Sequence, residues 1–474
     1  MTYDHIVLIS IDTLRSDGIA CNPIRLWPDE YGLSCQLRTD VLDEMAGEGA
    51  FFVNAITAAP YTSASHASLL TGLWPPSHGV YEFCGRTLSA ETLFAEARRH
   101  GYSTVLKTDF PFMLGPHLGV CRDVDSYIVE NDDAFVEAIA GTTRSCSLLH
   151  FGSVHLPYGF HNTTFGGQDY IRKVEDLEDE VRQAPADLPA DRLSETYRTP
   201  EDLDLLLRYK RVVMTLYGER QYERLFRLYL EGIERFCRTR LEPVLDRVRA
   251  ATAGTRRLFV VFGDHGEAYN DETYGHFNSV DEGVLRVPLL FWGDDVKAGL
   301  IRSRVRTIDL VPTLYELLNW NESGAHLDGK SLVPAVRDGA AMEPMRAHSQ
   351  AFVAQADQAR RAQQQILDEA RPACARVDHV LYKEAVYDGP LKLTRRHYVP
   401  HSENREPIRC EPDLRLEQSD DALRLRRVYD DAAVQRLVAI MDRYGAAASH
   451  AALSNVPLEL LRELQNHGYV LGSS

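Results

Sequence analysis

Four short apolar runs punctuate the chain, at residues 6–11, 148–154, 258–262 and 288–292, each rich in Val, Leu, Ile or Phe and none alternating with polar residues. Strands buried on both faces read this way, and they belong to parallel sheets covered by helices. Between the runs the period changes. Residues 87–100 place Leu93, Phe94 and Ala97 at helical spacing and stop at Gly101, after which 102–106 reads as another strand. Strand and helix alternate, so the predicted class is α/β, a largely parallel central sheet flanked by helices.

A charged stretch from about 169 to 251 carries apolar residues at helical spacing over 203–216 and 222–248, and is expected to be a helical insertion serving as a packing layer. After Gly339 the pattern loosens into a helix at 355–370, strands at 379–387 and 391–398, and helices at 432–444 and 457–466. With 474 residues, two or three domains are expected at ~150 residues each. The economical division is a catalytic unit over 1–340, insertion included, and a smaller C-terminal α+β unit over 341–474.

Lys and Arg number 52 against 69 Asp and Glu, a formal charge of −17 that repels phosphate backbones and anionic lipid, so nucleic acid and membrane are not expected partners. No apolar run reaches the ~20 residues that span a bilayer. The first apolar run follows Asp4 and His5 instead of a basic region and reads as a strand, not an export signal. Eight cysteines without a C-x-x-C pair suit reduced thiols and a cytoplasmic location. Oligomeric state leaves no mark in the sequence.

Open parallel sheets gather ligands beyond the carboxyl ends of their strands, and acids stand there twice: Asp12 after the first run, and Asp264 with His265 after the third. One strand-terminal Asp is usually a turn or cap residue; two, one of them beside a His, point to a metal site. Hydroxyls crowd the start of a helical run at 60–72, PYTSASHASLLTG. Capping explains such a cluster in the ordinary case. The functional alternative is that Thr62 sits at the helix N-terminus, where the dipole and free N–H groups ease ionisation of its hydroxyl.

The strings ISIDTLRSD, TSASHASLLTGLWPPSHGV, VHLPY, FVVFGDHGE, YGHFNSVDEGVLRVPLLFWG and TIDLVPTLYELL, with LDGKSL after them, follow one another in the order of the sulfatase branch of the alkaline phosphatase superfamily, which residues 3–339 resemble. The resemblance implies that Asp12, Asp264 and His265 bind a divalent metal and that Thr62 is both nucleophile and metal ligand. It implies a substrate-binding, leaving-group-protonating role for His155 and a contact to the substrate anion for His276, and it places Lys107 near the position of the family's catalytic lysine, where it would neutralise charge on the substrate anion.

Two departures from that pattern set the expected chemistry. Sulfatases carry C-x-P-x-R or S-x-P-x-R, whose first residue becomes formylglycine; here the string is Thr62-Ser63-Ala64-Ser65-His66, and threonine cannot form that aldehyde. A threonine ester must be released by water attacking phosphorus or sulfur directly, which phosphorus accepts more readily. Thr13 also stands where sulfatases usually place a second metal-binding Asp. The remaining O/N donor set suits Mn²⁺ first, with Zn²⁺, Mg²⁺ or Ca²⁺ as alternatives. The two-metal relatives use an Asp with a His four residues later, and no Asp here has one, so a single ion is expected. One ion suits a small, singly charged ester. The expected activity is hydrolysis of phosphodiesters or phosphonate monoesters through phosphothreonine at Thr62, with sulfate-ester hydrolysis, a soluble transferase and a catalytically silent binding protein as alternatives.

Overall fold

The computed structural model describes residues 3–81, 87–111, 113–160, 168–181, 200–276, 278–320, 326–354, 379–397, 412–445 and 451–452. The helices expected at 355–370 and 457–466 lie outside the described residues.

The central sheet comprises β1 (His5–Ile11), β2 (Ala50–Ile56), β3 (Ser103–Thr108), β4 (Ser126–Val129), β5 (Ser145–Phe151), β6 (Arg257–Gly263), β7 (Arg286–Gly293), β8 (Gly299–Ile301) and β9 (Val305–Arg306). Its order is β8-β2-β7-β6-β1-β5-β3-β4, with β9 also on β2. β1 lies parallel between β5 and β6, whereas β7 runs antiparallel to both β2 and β6. The apolar run at 288–292 is thus a central strand of opposite direction, and a strand buried on both faces carries no sign of its direction. The helix expected over 87–100 is confined to Leu93–Arg99; Thr87–Leu88 instead pairs with Ala451–Ala452.

Side-chain alternation along β1 assigns the two faces. Val7, Ile9 and Ile11 pack into a cluster with Leu206, Tyr209 and Val212 of a helix over Pro200–Gly218 and with Tyr229 and Ile233 of a helix over Tyr222–Phe236. The helical insertion is therefore a packing layer buried against the sheet. A π turn at Cys237–Leu241 links its last two helices. Ile6 and Leu8 face the other way, into a cluster with Leu69 and Leu70 of α1 (Thr62–Thr71) and with Leu310 and Leu314.

A second, antiparallel sheet follows, in the order β10 (Ala347–Ala354), β11 (His379–Asp388), β12 (Leu391–Arg396), β13 (Asp413–Ser419), β14 (Leu425–Arg427), with α2 (Asp431–Gly445) across it. This sheet is anchored beside the start of α1. Ala347, Ala351, Ala385 and Tyr387 share one buried cluster with Ile56, Tyr61, Ala64, Val280 and Val284. Buried Lys392 donates to the Val280 carbonyl (2.7 Å) and to Glu282 (2.8 Å), which also accepts the Tyr387 hydroxyl (2.6 Å). Among the described residues no helix is long and apolar enough to cross a membrane.

Candidate active site

Ile11 of β1 is opposite Gly263 of β6, so Asp12 and Asp264 leave the sheet side by side at its carboxyl edge. Thr13 then takes a left-handed backbone, φ 59°, which a β-branched residue rarely adopts. In that conformation its N–H donates to Asp264 Oδ1 at 3.1 Å, and the His265 N–H donates to the same oxygen at 2.9 Å. Asp264 Oδ1 is saturated, while Oδ2 is buried without a hydrogen-bond partner. Asp12 is divided in the same way: Oδ2 accepts the Thr62 hydroxyl at 3.3 Å, and buried Oδ1 accepts nothing.

His265 supplies the third group. Its Nδ1 lies 3.1 Å from the Gly266 carbonyl, which can only accept, so Nδ1 carries the proton and Nε2 presents a lone pair. Nε2 lies 3.7 Å from Asp12 Oδ1, 3.6 Å from Asp264 Oδ2 and 3.3 Å from Thr62 Oγ1. No lysine or arginine among the described residues pairs with either carboxylate. Burial pushes the Asp12 carboxyl up to about 7, against the pull of His265 and the Thr62 hydroxyl. Two bare carboxylate oxygens, one imidazole lone pair and no cationic side chain fit a divalent cation, and Asp12, Asp264 and His265 form a candidate ligand group for one.

Thr62 is the first residue of α1, as the helix-start reading expects, but the hydroxyls after it do not cap the helix. Ser65 donates to the Asp264 carbonyl (2.7 Å) and Ser63 to the Met113 carbonyl (2.8 Å), while Ser68 pairs with His78 Nε2 (2.8 Å). The Ser/Thr run ties α1 to distant backbone and so fixes Thr62 against the two strand ends.

His66 and His150, with Asp264, make a second close group that the sequence does not reveal. His66 lies one turn beyond Thr62. Its Nδ1 donates to the Thr62 carbonyl (2.7 Å), which leaves Nε2 to accept from the Ser10 hydroxyl (2.8 Å). Both nitrogens are engaged, so His66 offers no lone pair to an ion. Burial pushes both imidazoles down to about 4 and keeps them neutral. A helical i, i+4 spacing from Thr62 could have flagged His66; nothing local flags His150, whose neighbourhood follows from its pairing opposite Ser10.

The structure brings His276 and His155 to the same place. The His276 ring is 4.2 Å from that of His265 and 5.5 Å from that of His155. Burial pushes His276 down to about 4, partly countered by Asp264. His155 Nδ1 donates to the Leu156 carbonyl at 3.0 Å. Lys107 is placed differently. It is fully buried, its ammonium bonds Asp109 and Asp132 (2.8 Å) and donates to the His150 carbonyl (3.2 Å), and Arg240 of the π turn grips the same two carboxylates. No hydrogen bond or ion pair joins Lys107 to Thr62, Asp12 or Asp264. Its charge is neutralised because the strand position that buries it also faces two acids, and this replaces the expectation that it meets the substrate anion.

The sulfatase family profile matches residues 4–137 and 149–320. A Haloferax volcanii protein named low-salt glycan biosynthesis sulfotransferase Agl7 is 24% identical over 310 residues, covering 63% of this chain and 62% of that protein, so this chain spans less than two thirds of that relative. Among solved structures, a 2-O GAG sulfatase superposes with TM-score 0.57 at 16% identity over 93% of this chain and 92% of that one. The phosphonate monoester hydrolase of Silicibacter pomeroyi gives 0.56 at 16% identity over 93% and 95%. The structural likenesses concern the fold; the family match, spanning about two thirds of the chain and including every group that meets at Thr62, makes this protein a member of the sulfatase family.

Proposed function

We propose that this protein is a divalent-metal-dependent hydrolase of small, singly charged phosphorus esters, phosphodiesters or phosphonate monoesters, acting through a phosphothreonine at Thr62. The observation that carries the reading is the Thr62 hydroxyl, 3.3 Å from both Asp12 Oδ2 and His265 Nε2 at the start of α1, in a chain whose nucleophile cannot become an aldehyde. Asp12, Thr62, Asp264 and His265 would hold the ion, Mn²⁺ ahead of Zn²⁺, Mg²⁺ and Ca²⁺ because imidazole nitrogen joins the oxygen donors. When bound, the ion would offset charge on the ester and lower the cost of ionising Thr62.

Thr62 Oγ1 attacks phosphorus in line as the bond from phosphorus to the leaving oxygen breaks. Asp12 Oδ2 holds the hydroxyl proton and orients the attacking lone pair. The dipole of α1 contributes about 0.3–1 kcal/mol toward the negative charge that develops there. The leaving oxygen takes a proton from an imidazole. In its protonated form His155 supplies it from Nε2, while its Nδ1–H stays on the Leu156 carbonyl. Water then attacks the same phosphorus and gives a proton back to that imidazole, and the bond to Thr62 Oγ1 breaks as that oxygen recovers its proton from Asp12 Oδ2.

The test is turnover of bis(4-nitrophenyl) phosphate and a phenylphosphonate ester against 4-nitrophenyl sulfate by Mn²⁺-loaded protein. Phosphorus esters should be preferred, Thr62→Ala should abolish turnover, and acid-quenched protein should carry the substrate's phosphoryl fragment on Thr62 by mass spectrometry. Preference for the sulfate overturns the phosphorus assignment in favour of a sulfatase. The Haloferax relative is named as a sulfotransferase. That supports a second reading as a group transferase, in which product forms only when an acceptor alcohol is supplied.

A further inference from the structure

His150 is fully buried at the carboxyl end of β5, on the face of the sheet that carries Asp12. Its Nε2 lies 3.4 Å from Asp12 Oδ2 and has no hydrogen-bond partner. On its other side Nδ1 is 3.2 Å from the Thr108 hydroxyl.

The Thr108 hydroxyl fixes which nitrogen bears the proton. Its oxygen already accepts the Phe110 N–H at 2.9 Å, and among the described residues its other partner is His150 Nδ1. The hydroxyl proton has one place to go, so Thr108 donates and Nδ1 accepts. A neutral imidazole accepting at Nδ1 carries its proton at Nε2. Asp12 Oδ2 is the carboxylate oxygen facing that nitrogen, at 3.4 Å. The Phe110 N–H and the Thr108 hydroxyl thus set the tautomer of the His150 ring, whose Nε2–H is turned to the Asp12 side. His265 has the opposite tautomer, because its Nδ1 donates to a carbonyl. Of these two histidines, one presents a lone pair to the site and the other an N–H.

We propose that His150 is the positioning residue of Asp12: its Nε2–H faces Oδ2 from 3.4 Å, beside the Thr62 hydroxyl that donates to that oxygen, and so leaves Oδ1 as the oxygen that faces the cation. The assignment rests on the reading of Asp12, Asp264 and His265 as ion ligands. The same device holds Asp264, where the Thr13 and His265 N–H groups engage Oδ1 and leave Oδ2 bare. Each carboxylate thus has one occupied oxygen and one free oxygen, and the two free oxygens lie 3.7 and 3.6 Å from His265 Nε2. Partners of this kind set the orientation of a ligand, and their loss typically weakens metal affinity by about 10- to 100-fold.

The test has an arm that needs no metal. In metal-free protein labelled with ¹⁵N-histidine, His150, assigned by its loss in His150→Phe, should show the Nε2-protonated tautomer; an Nδ1-protonated ring overturns the proposal whether or not an ion binds. With Mn²⁺, wild type should bind one ion, and nitrogen couplings in pulsed EPR should report one imidazole, in wild type and in His150→Phe alike. The His150→Phe dissociation constant should rise by about 10- to 100-fold, and His150→Gln, whose amide can donate over a similar reach, should recover most of that loss. Two coupled imidazoles in wild type, falling to one in the variant, would make His150 a ligand and overturn its positioning role. An unchanged affinity in His150→Phe would overturn it as well. Failure of wild type to bind any divalent ion would instead strike at the ligand reading, with the tautomer measurement still deciding the Asp12 contact.

Discussion

Lys107→Met is the sharpest test of how this family frame has been rebuilt, because it separates a structural charge from a catalytic one. The substitution keeps an unbranched stem and removes the ammonium. In the native protein two cations, Lys107 and Arg240, face two carboxylates, Asp109 and Asp132, with Arg240 reaching Asp109 at 2.6 Å and Asp132 at 2.8 Å. The quartet is neutral; without Lys107 it holds an uncompensated buried negative charge, since the Asp109 side chain is fully buried. Breaking a buried pair from one side costs about 3–5 kcal/mol. The expected result is a clear fall in the urea midpoint, followed by fluorescence and by circular dichroism. Partial recovery is expected in Lys107→Met/Asp109→Asn, where the amide oxygen can still accept the Gly152 N–H (2.8 Å in the native protein). Phosphoester turnover per folded molecule should stay within about tenfold of wild type, against losses of about 100-fold or more where a charge stabilising the transition state is removed. An unchanged midpoint with turnover down a hundredfold would refute the reasoning and return Lys107 to the substrate.

Metal binding to Asp12 should release a proton below pH 7, since its carboxyl titrates at about 7 in the metal-free site. Affinity should rise with pH up to that point and level off above it; titration calorimetry at pH 6 in buffers of different ionisation enthalpy would read the release, and none at all would contradict it. By the same linkage, metal-free protein should lose stability as pH climbs from about 4 to 7, because burial disfavours ionised Asp12, and added Mn²⁺ should remove that loss. Although burial opposes it, the pull of Lys392 and Arg286 brings Glu282 down from 4.5 to about 2. Its contribution is complete above pH 4.5 and vanishes as pH falls toward 2, worth roughly 3 kcal/mol at ~1.4 kcal/mol for each tenfold in proton affinity. Wild type should therefore exceed Glu282→Gln in stability at pH 7 and converge with it in acid; a gap independent of pH would exclude the ionised form as the source. Gly266→Ala should be poorly folded, because a Cβ there meets the Gly283 carbonyl, a backbone atom that cannot turn aside; thermal melting that matches wild type would count against this.

What could be read from the sequence is what depends on local pattern. The apolar runs at 6–11 and 258–262 are β1 and β6, and acids placed directly after such runs necessarily emerge at the sheet's carboxyl edge. Thr62 at the head of a helical run was equally legible. The rest depends on partners distant in the chain. Direction is invisible in β7 because both its faces are buried, and β2, residues 50–56, carries an Asn that interrupts its apolar pattern. A lysine on a strand looks available until the acids opposite it are known, as with Lys107. The roles of His66 and His150 depend on tautomer, and that is set by Thr62, Ser10 and Thr108 through tertiary contact.

The small apolar cluster that joins Tyr61 and Ala64 to Ala347, Ala351, Ala385 and Tyr387 has a bearing on how the protein can be cut or recombined. The tail of the chain is not a portable module. A chimera that grafts another relative's C-terminal sheet after residue 340 would have to match that seam residue for residue, or lose the footing of the helix that opens with Thr62. Changes on the two sides of the seam should therefore be inherited together, which makes it a natural place to look for paired substitutions when diverging copies of this protein are aligned.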